Sequence, residues 1–360
     1  MTSSSEFVSQ GHPDRTCDSI ASYILDEYLR HDPKTRFALE VQMKGNICNL
    51  AGEVTSKWHP TEDWTAELVR EAIRKVGYTA EYASKWPDRA TLNAEHVVVS
   101  NFIGQQSPDI AQGVDREGWG DQGCFMGMAT NEKEYGHMPR DKYFANAIGT
   151  RLYKAALSGE APIGLDIKVL VSIKDEHTIE QVVVAAPMTE ANEGVAREFI
   201  KRIVKFTLAS HDYKLNELIV NGTGAYVIHS TIGDAGVVGR KLAVDFYGLN
   251  CPIGGGTTWG KDGTKADVTL NLAARYNAML QTIQTQHPTT FCKISCCIGK
   301  PECLVAFFNK NEDTPYYETK STLLPSELIK KFGLDGSVPG MFWSMCENGL
   351  FHYVDKIALT

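Results

Sequence analysis

Alternating apolar stretches, each accompanied by a helical stripe, are what most limit the architecture open to this chain. In RFALEVQM (36–43), Phe37, Leu39, Val41 and Met43 fall on one side and Ala38, Glu40 and Gln42 on the other. A period of two puts the first set on the inner face of a sheet. DIKVLVSI (166–173) does the same with Ile167, Val169, Val171 and Ile173, and leaves Asp166 and Lys168 together on the outer face. NICNLAGEV, ending near Glu53, and QVVVAAPM are their expected partner strands. A stripe of Ile20, Ile24, Leu25, Tyr28 and Leu29 predicts a helix before the first pair. Trp64, Leu68, Ala72 and Ile73 predict one after it, with Gly77 as its C-cap, and EHVVVSNF reads as a third strand. The middle of the chain continues with a helix on Val195, Phe199, Ile203 and Phe206 and strands at ELIVN and AYVIHS. The last third offers a helix over about 268–284, strands at CKISCCI and CLVAFF, and a helix from Pro325. Strand pairs followed by helices, recurring about three times, predict an α+β protein of three similar layers. The expected domains are 1–102, 121–230 and 231–360, with 103–120 as a loop and connection.

With 36 basic and 44 acidic residues the net charge is -8, which argues against a general nucleic-acid or membrane-surface binder. A site for a polyanion must then be a local cluster of Lys and Arg. No apolar run approaches the ~18 residues of a membrane span, and Met1–Gly11 has no secretory apolar core. The nine cysteines lack framework spacing, so buried reduced thiols in a cytoplasmic protein are expected, Cys292, Cys296 and Cys297 included.

The segments between the elements differ in kind. SQGHPDRTCD, GQQSPDIAQGVDREGWGDQG, NGTGAY, IGDAGVVGRK and IGGGTTWGKDGTKAD are rich in Gly, Asp, Gln and basic residues, and loops of that type let backbone approach a ligand. His12-Pro13-Asp14-Arg15 stands at a helix N-terminus, which suits anions. His12 there could donate to a phosphate oxygen; Asp14 could hold a hard cation or simply cap the helix. Gly255, Gly260 and Lys261 satisfy G-x-x-x-x-G-K, but Asp262 stands where Ser or Thr should reach Mg²⁺, and no buried strand precedes the loop. An ordinary P-loop is excluded, and a glycine-rich phosphate cradle of another kind, with Lys261, Lys265 and Asp267 close together, is expected. GTGAYV (222–227) is half a dinucleotide fingerprint and reads better as a tight turn. Arg240-Lys241 and Asp166/Lys168 are each open to reading as solvated pairs.

Taken together and in order, SQGHPDR, LAGEV, GQQSPDIAQGVD, GWGDQG, MATNE, LDIK, GTGAYVI, GDAGVVGRK, VDFYG, WGKDGTKAD, AARY and CCIG make the chain resemble the methionine adenosyltransferase (S-adenosylmethionine synthetase) family along nearly its whole length. The resemblance implies three similar α+β domains about a pseudo-threefold axis, in a homo-oligomer whose active sites lie between two subunits. It implies attack of the L-methionine sulfur on C5′ of ATP, then cleavage of the released triphosphate to pyrophosphate and phosphate. Two Mg²⁺ per site and K⁺ are the implied cofactors. By motif, His12 would assist departure of the triphosphate, held by Lys168, Arg240, Lys241 and Lys261. Asp14 and Asp267 would take Mg²⁺ and Glu40 the monovalent cation. Glu53 and Gln106 would fix the methionine amino and carboxylate groups, and Asp121 and Asp234 nucleoside or methionine polar groups. Tyr226 would stack on adenine, Ile298 line the nucleotide pocket, and Lys265 contact the nucleotide.

The chain departs from the family pattern at Arg15, where Lys is usual in HPDK, at Ala225 and Trp119, and in the GGGTTWGKD loop. A tripolyphosphate hydrolase or a non-catalytic nucleotide-binding paralogue are the competing classes. The first would not need Glu53, Gln106 and Ile298, and the second would have no use for His12, Asp14 and the lysines.

Overall fold

The computed structural model describes residues 3–105, 117–310 and 312–360. The first unit runs β1 (Ser3–Val8), α1 (Pro13–His31), β2 (Arg36–Lys44), β3 (Ile47–Thr55), α2 (Glu62–Val76) and β4 (Val98–Gly104). The second repeats that order with β5 (Gly123–Thr130), α3 (Arg140–Leu157), β6 (Lys168–Asp175), β7 (Thr178–Ala185), α4 (Glu193–Ala209) and β8 (Lys214–Val220). In the third, β9 (Gly236–Val237), α5 (Ala266–Thr285), β10 (Thr289–Cys296) and β11 (Glu302–Asn309) lead directly to β12 (Tyr317–Thr322). Helices α6 (Pro325–Lys331), α7 (Met341–Asn348) and α8 (His352–Ala358) follow.

Three four-stranded sheets result, and none is built from one unit alone. Each takes its hairpin and its last strand from one unit and its remaining strand from the preceding unit in a cycle. β1 pairs antiparallel with β6, Ser5 opposite Val171. β5 pairs with β10, Gly127 opposite Cys292, and β9 with β2, Gly236 opposite Met43. This exchange closes the three α+β layers around a pseudo-threefold axis. The sheets therefore cross from one hairpin–helix unit to the next. β4 and β8 lie parallel to β3 and β7 because α2 and α4 carry the chain over. β12 is antiparallel to β11, since residues 310–316 are too few for a parallel crossover.

α1 packs on β2, α3 on β1 and β6, and α5 on β5 and β10, each sealing the inner face of a sheet. Ile20, Ile24 and Leu25 of α1 and Phe37, Val41 and Met43 of β2 are fully buried, as the two periodicities require. Gly77, at φ 106°, caps α2 in the left-handed region as expected. Trp64 of the expected α2 stripe is exposed instead, and Val69 and Val76 complete the buried face. In α4, Val195 and Phe206 are exposed, and Ala196, Ile200 and Val204 join Phe199 in the core. A stripe read from the largest side chains was rotated by about one position. AYVIHS forms no strand. Its backbone makes two bonds to the backbone of other segments, Met188 N–H to Tyr226 O and His229 N–H to Ala90 O, both at 2.9 Å, before a short helix at Ser230–Gly233. All nine cysteines are free, but Cys297 and Cys124 are exposed and Cys296 half-buried, which corrects the expectation that the CKISCCI thiols are all buried.

The outer face of the first sheet is uncovered. Ile47 beside Val98, and Phe102 beside Ala51, leave large apolar side chains 53%, 62% and 70% exposed at Ile47, Val98 and Phe102.

Candidate active site

The N-terminus of α1 is the centre of one cluster. His12 is its N-cap, with Nδ1 accepting the Asp14 N–H at 3.2 Å. An accepting Nδ1 leaves the proton of the neutral ring on Nε2. Burial first, and then the charge of Lys241, push the His12 pKa down to about 4, so at neutral pH it is an uncharged donor. Asp14 does more than cap. Its carboxylate accepts the Val237 N–H at 2.9 Å, ion-pairs with Lys241, and has Arg240 Nη1 at 3.6 Å. Burial alone would raise the Asp14 carboxyl, but Lys241 and the Val237 N–H outweigh it and hold the pKa below the usual value. The short pairing of β9 with β2 brings Val237 here.

Lys168 opens β6 on the exposed side, pairs with Glu6 of β1 at 3.3 Å, and adds its charge to the field on His12. Asp166, two residues earlier, received no role from the sequence, although it shares the outer side with Lys168. It accepts the Ser230 N–H at 3.0 Å, and its carbonyl accepts the Tyr226 hydroxyl at 3.0 Å. Burial raises its pKa to about 7, the neighbouring Asp234 adding to the shift. Asp234 is exposed at the end of the short helix. His12, Asp14, Lys168, Tyr226, Asp234, Arg240 and Lys241 thus gather in one place.

The glycine-rich loop builds a second cluster. It lies against β2 like an extra strand: Leu39 N–H donates to Gly260 O at 2.8 Å and Asp262 N–H to Phe37 O at 3.2 Å. Gly260 has φ +74°, and a Cβ there would sit 2.2 Å from Leu39 O, so no other residue fits. Asp262, which breaks the P-loop pattern, is a staple: it accepts the Phe37 N–H at 2.7 Å and the Thr264 N–H at 2.8 Å. Lys261 then reaches Asp267, in the first turn of α5, at 2.5 Å, while Gly256 N–H donates to the other Asp267 oxygen at 2.7 Å. Asp121, Lys261, Lys265 and Asp267 line a cleft of about 210 Å³. Glu40 is exposed on the outer face of β2, two residues from Ala38, whose backbone bridges Lys261. Glu53 stands opposite Ala38 on β3, also exposed. Ile298 is exposed beside the buried Trp119, to which Gly299 N–H donates at 2.7 Å. Trp119 thereby anchors the approach to Asp121. Gln106 lies outside the described residues.

Among the described residues no hydrogen bond or ion pair joins the two clusters directly, and no group of three or more His, Cys, Asp or Glu side chains could hold a metal ion. In each cluster one carboxylate, Asp14 or Asp267, has a lysine ammonium in place as its counter-ion. That donor set fits Mg²⁺, which keeps its waters and needs only one or two carboxylates when phosphate oxygens complete the shell.

The sequence matches the family models of the S-adenosylmethionine synthetase N-terminal domain over residues 1–108, the central domain over 116–226 and the C-terminal domain over 228–336. The chain belongs to the S-adenosylmethionine synthetase family. Among its relatives, an S-adenosylmethionine synthase of Sulfurovum sp. (strain NBC37-1) is 37% identical over 293 residues, 76% of this chain and 72% of that one. One from Helicobacter pylori (strain P12) is 32% identical over 330 residues, 88% of this chain and 82% of that one. The solved structure of an unusual S-adenosylmethionine synthetase from Campylobacter jejuni superposes with a TM-score of 0.87 at 28% identity, covering 97% of this chain and 94% of that one. In this S-adenosylmethionine synthetase family member the three matched regions correspond to the three hairpin–helix units, and His12, Lys168 and Lys241 of the first cluster come one from each.

Proposed function

We propose that the protein makes S-adenosylmethionine from ATP and L-methionine. The observation that carries this reading is the neutral, donor-bearing His12 at a helix N-terminus with Lys168, Arg240 and Lys241 around it. A thioether is a weak nucleophile, so the rate must come from orientation and from stabilising the leaving polyanion. The sulfur attacks C5′; the S–C5′ bond forms as the C5′–O5′ bond breaks, and the triphosphate leaves with the bonding electron pair. His12 Nε2–H donates to the departing oxygen, and Lys168, Arg240, Lys241 and Lys261 hold the triphosphate. Water then cleaves it to pyrophosphate and phosphate. Mg²⁺ at Asp14 and Asp267, two ions per site, would neutralise phosphate charge when bound, and K⁺ would sit at Glu40. Lys241 and Lys261 exchange their carboxylate partners for phosphate oxygens as the substrate enters. Glu53, Asp121, Asp234, Tyr226, Lys265 and Ile298, with Gln106, hold methionine and the nucleoside.

The two clusters, with no direct bond between them among the described residues, together with the uncovered face at Ile47, Val98 and Phe102, support a homo-oligomer in which each site takes one cluster from each of two subunits. The test is incubation with ATP, L-methionine, Mg²⁺ and K⁺. Equimolar S-adenosylmethionine, pyrophosphate and phosphate, dependent on methionine, is the expected result. Phosphate without S-adenosylmethionine would make the protein a nucleotide-phosphate hydrolase.

A further inference from the structure

Beneath both clusters lies a buried group to which neither the sequence motifs nor the proposed chemistry gives a part. Arg15, Asp18, Asp245 and Trp259 are 7%, 0%, 7% and 2% exposed. The Arg15 guanidinium bonds Asp18 at 3.2 Å through Nη1 and Asp245 through Nη2, and lies 5.4 Å from the Trp259 ring centroid. Trp259 Nε1–H donates to the second Asp245 oxygen at 2.7 Å. The free oxygen of Asp18 accepts the Gly239 N–H at 2.8 Å.

Each member is joined to a site residue by a stretch of backbone too short to move on its own. Arg15 follows Asp14 in α1. Gly239 precedes Arg240, and its backbone runs so close to the glycine-rich loop that a Cβ would sit 2.7 Å from Thr257. Asp245 ends a one-turn helix, Leu242–Asp245, that starts from Lys241, and its N–H bonds Lys241 O at 2.9 Å. Trp259 is two residues before Lys261. One buried group therefore ties the α1 N-terminus, the Arg240-Lys241 segment and the Lys261 loop together. Placing a cation and two carboxylates out of water is costly, and a cheaper apolar contact would hold three loops together without fixing their register.

We infer that Trp259 and Asp245 are positioning residues of the phosphate sites, latching the Lys261 loop, which serves one site of the oligomer, to the segment that carries Arg240 and Lys241 into the other. The inference rests on the proposed phosphate-binding role of both clusters. Neither residue touches substrate; they act through the lysines they place.

Trp259→Phe keeps a smaller aromatic ring and removes the Nε1–H; Asp245→Asn keeps the size and removes the charge. Binding of tripolyphosphate with Mg²⁺ is measured by calorimetry on folded protein, beside the KM for ATP and for methionine. Loss of a charge-assisted hydrogen bond predicts about tenfold weaker tripolyphosphate binding in each variant, a raised KM for ATP and an unchanged KM for methionine. The double variant is expected to be no worse than the weaker single one by more than about twofold, because the two residues act as a unit. Folded variants that bind tripolyphosphate as the wild type does, whatever their melting temperature, overturn the inference; if Asp245→Asn does not fold, Trp259→Phe alone decides. A wild type that makes no S-adenosylmethionine while the variants lose tripolyphosphate affinity overturns only the functional reading. A wild type without tripolyphosphate affinity overturns both.

Discussion

Replacing Gly260 by Ala tests whether the seat of the glycine-rich loop on β2 sets the position of Lys261. The new Cβ would stand 2.2 Å from Leu39 O. Carbon and oxygen tolerate about 3.3 Å, and a carbonyl inside a strand cannot rotate away, so the loop must retreat by about 1 Å. The retreat strains or breaks the 2.8 Å bond from Leu39 N–H to Gly260 O and the 2.7 Å bond from Phe37 N–H to Asp262. Each is worth ~1 kcal/mol. The left-handed φ of +74° adds ~1–2 kcal/mol for a residue with a Cβ. The sum is a destabilisation of about 3–4 kcal/mol. A displacement of ~1 Å at a group that orients the reacting triphosphate costs on the order of a hundredfold in rate. Urea unfolding gives the first figure, and S-adenosylmethionine formation per folded molecule gives the second. A Gly260→Ala protein with wild-type stability and turnover would refute the argument that this seat places Lys261.

Three further outcomes are expected. Lys261→Ala and Asp14→Asn should each fold and each lose most synthesis, on the order of a hundredfold; normal turnover in a folded Lys261→Ala protein removes the lysine from the triphosphate site. His229 is buried, bonds Tyr82 Oη at 2.8 Å, and has its pKa lowered to about 4 by burial. A lowered histidine pKa favours the neutral folded form. Its contribution is therefore full above about pH 6.5 and is lost as pH falls toward 4, about 2 kcal/mol being gone by pH 5. Wild type should show that extra loss between pH 7 and 5 in chemical denaturation and His229→Gln should not; equal slopes would show that His229 protonates freely in the fold. Phe102→Glu, on the uncovered outer face, should weaken self-association in sedimentation and lower activity with it, and a fully active monomer would contradict a shared site.

Much of this was legible in the chain. Period-two alternation in RFALEVQM and DIKVLVSI gave both inner sheet faces correctly, because a half-buried strand has no other way to hide Val41 or Val171. Helical stripes were less exact: Trp64, Val195 and Phe206 are large and apolar yet exposed, since a helix face is chosen by what it packs against. Asp262 was legible as a break in a P-loop but not as a staple, because its partners Phe37 and Thr264 are set by tertiary contact. Likewise Asp166 could be placed beside Lys168 on the strand, but its burial depends on Ser230 and Tyr226, some sixty residues on. Arg15 stood out in sequence as a departure while Trp259 was one unremarked residue of the glycine-rich loop, and only the fold brings them face to face.

The cyclic loan of strands has a consequence for how such a chain comes to exist. β1 leaves the ribosome well before its ladder partner β6, with Ser5 waiting for Val171. The edge of the first sheet stays open until Gly236 arrives beside Met43. No third of the molecule holds all four strands of a sheet by itself. Such a protein should mature late and all together, with exposed strand edges in need of shelter until the cycle closes.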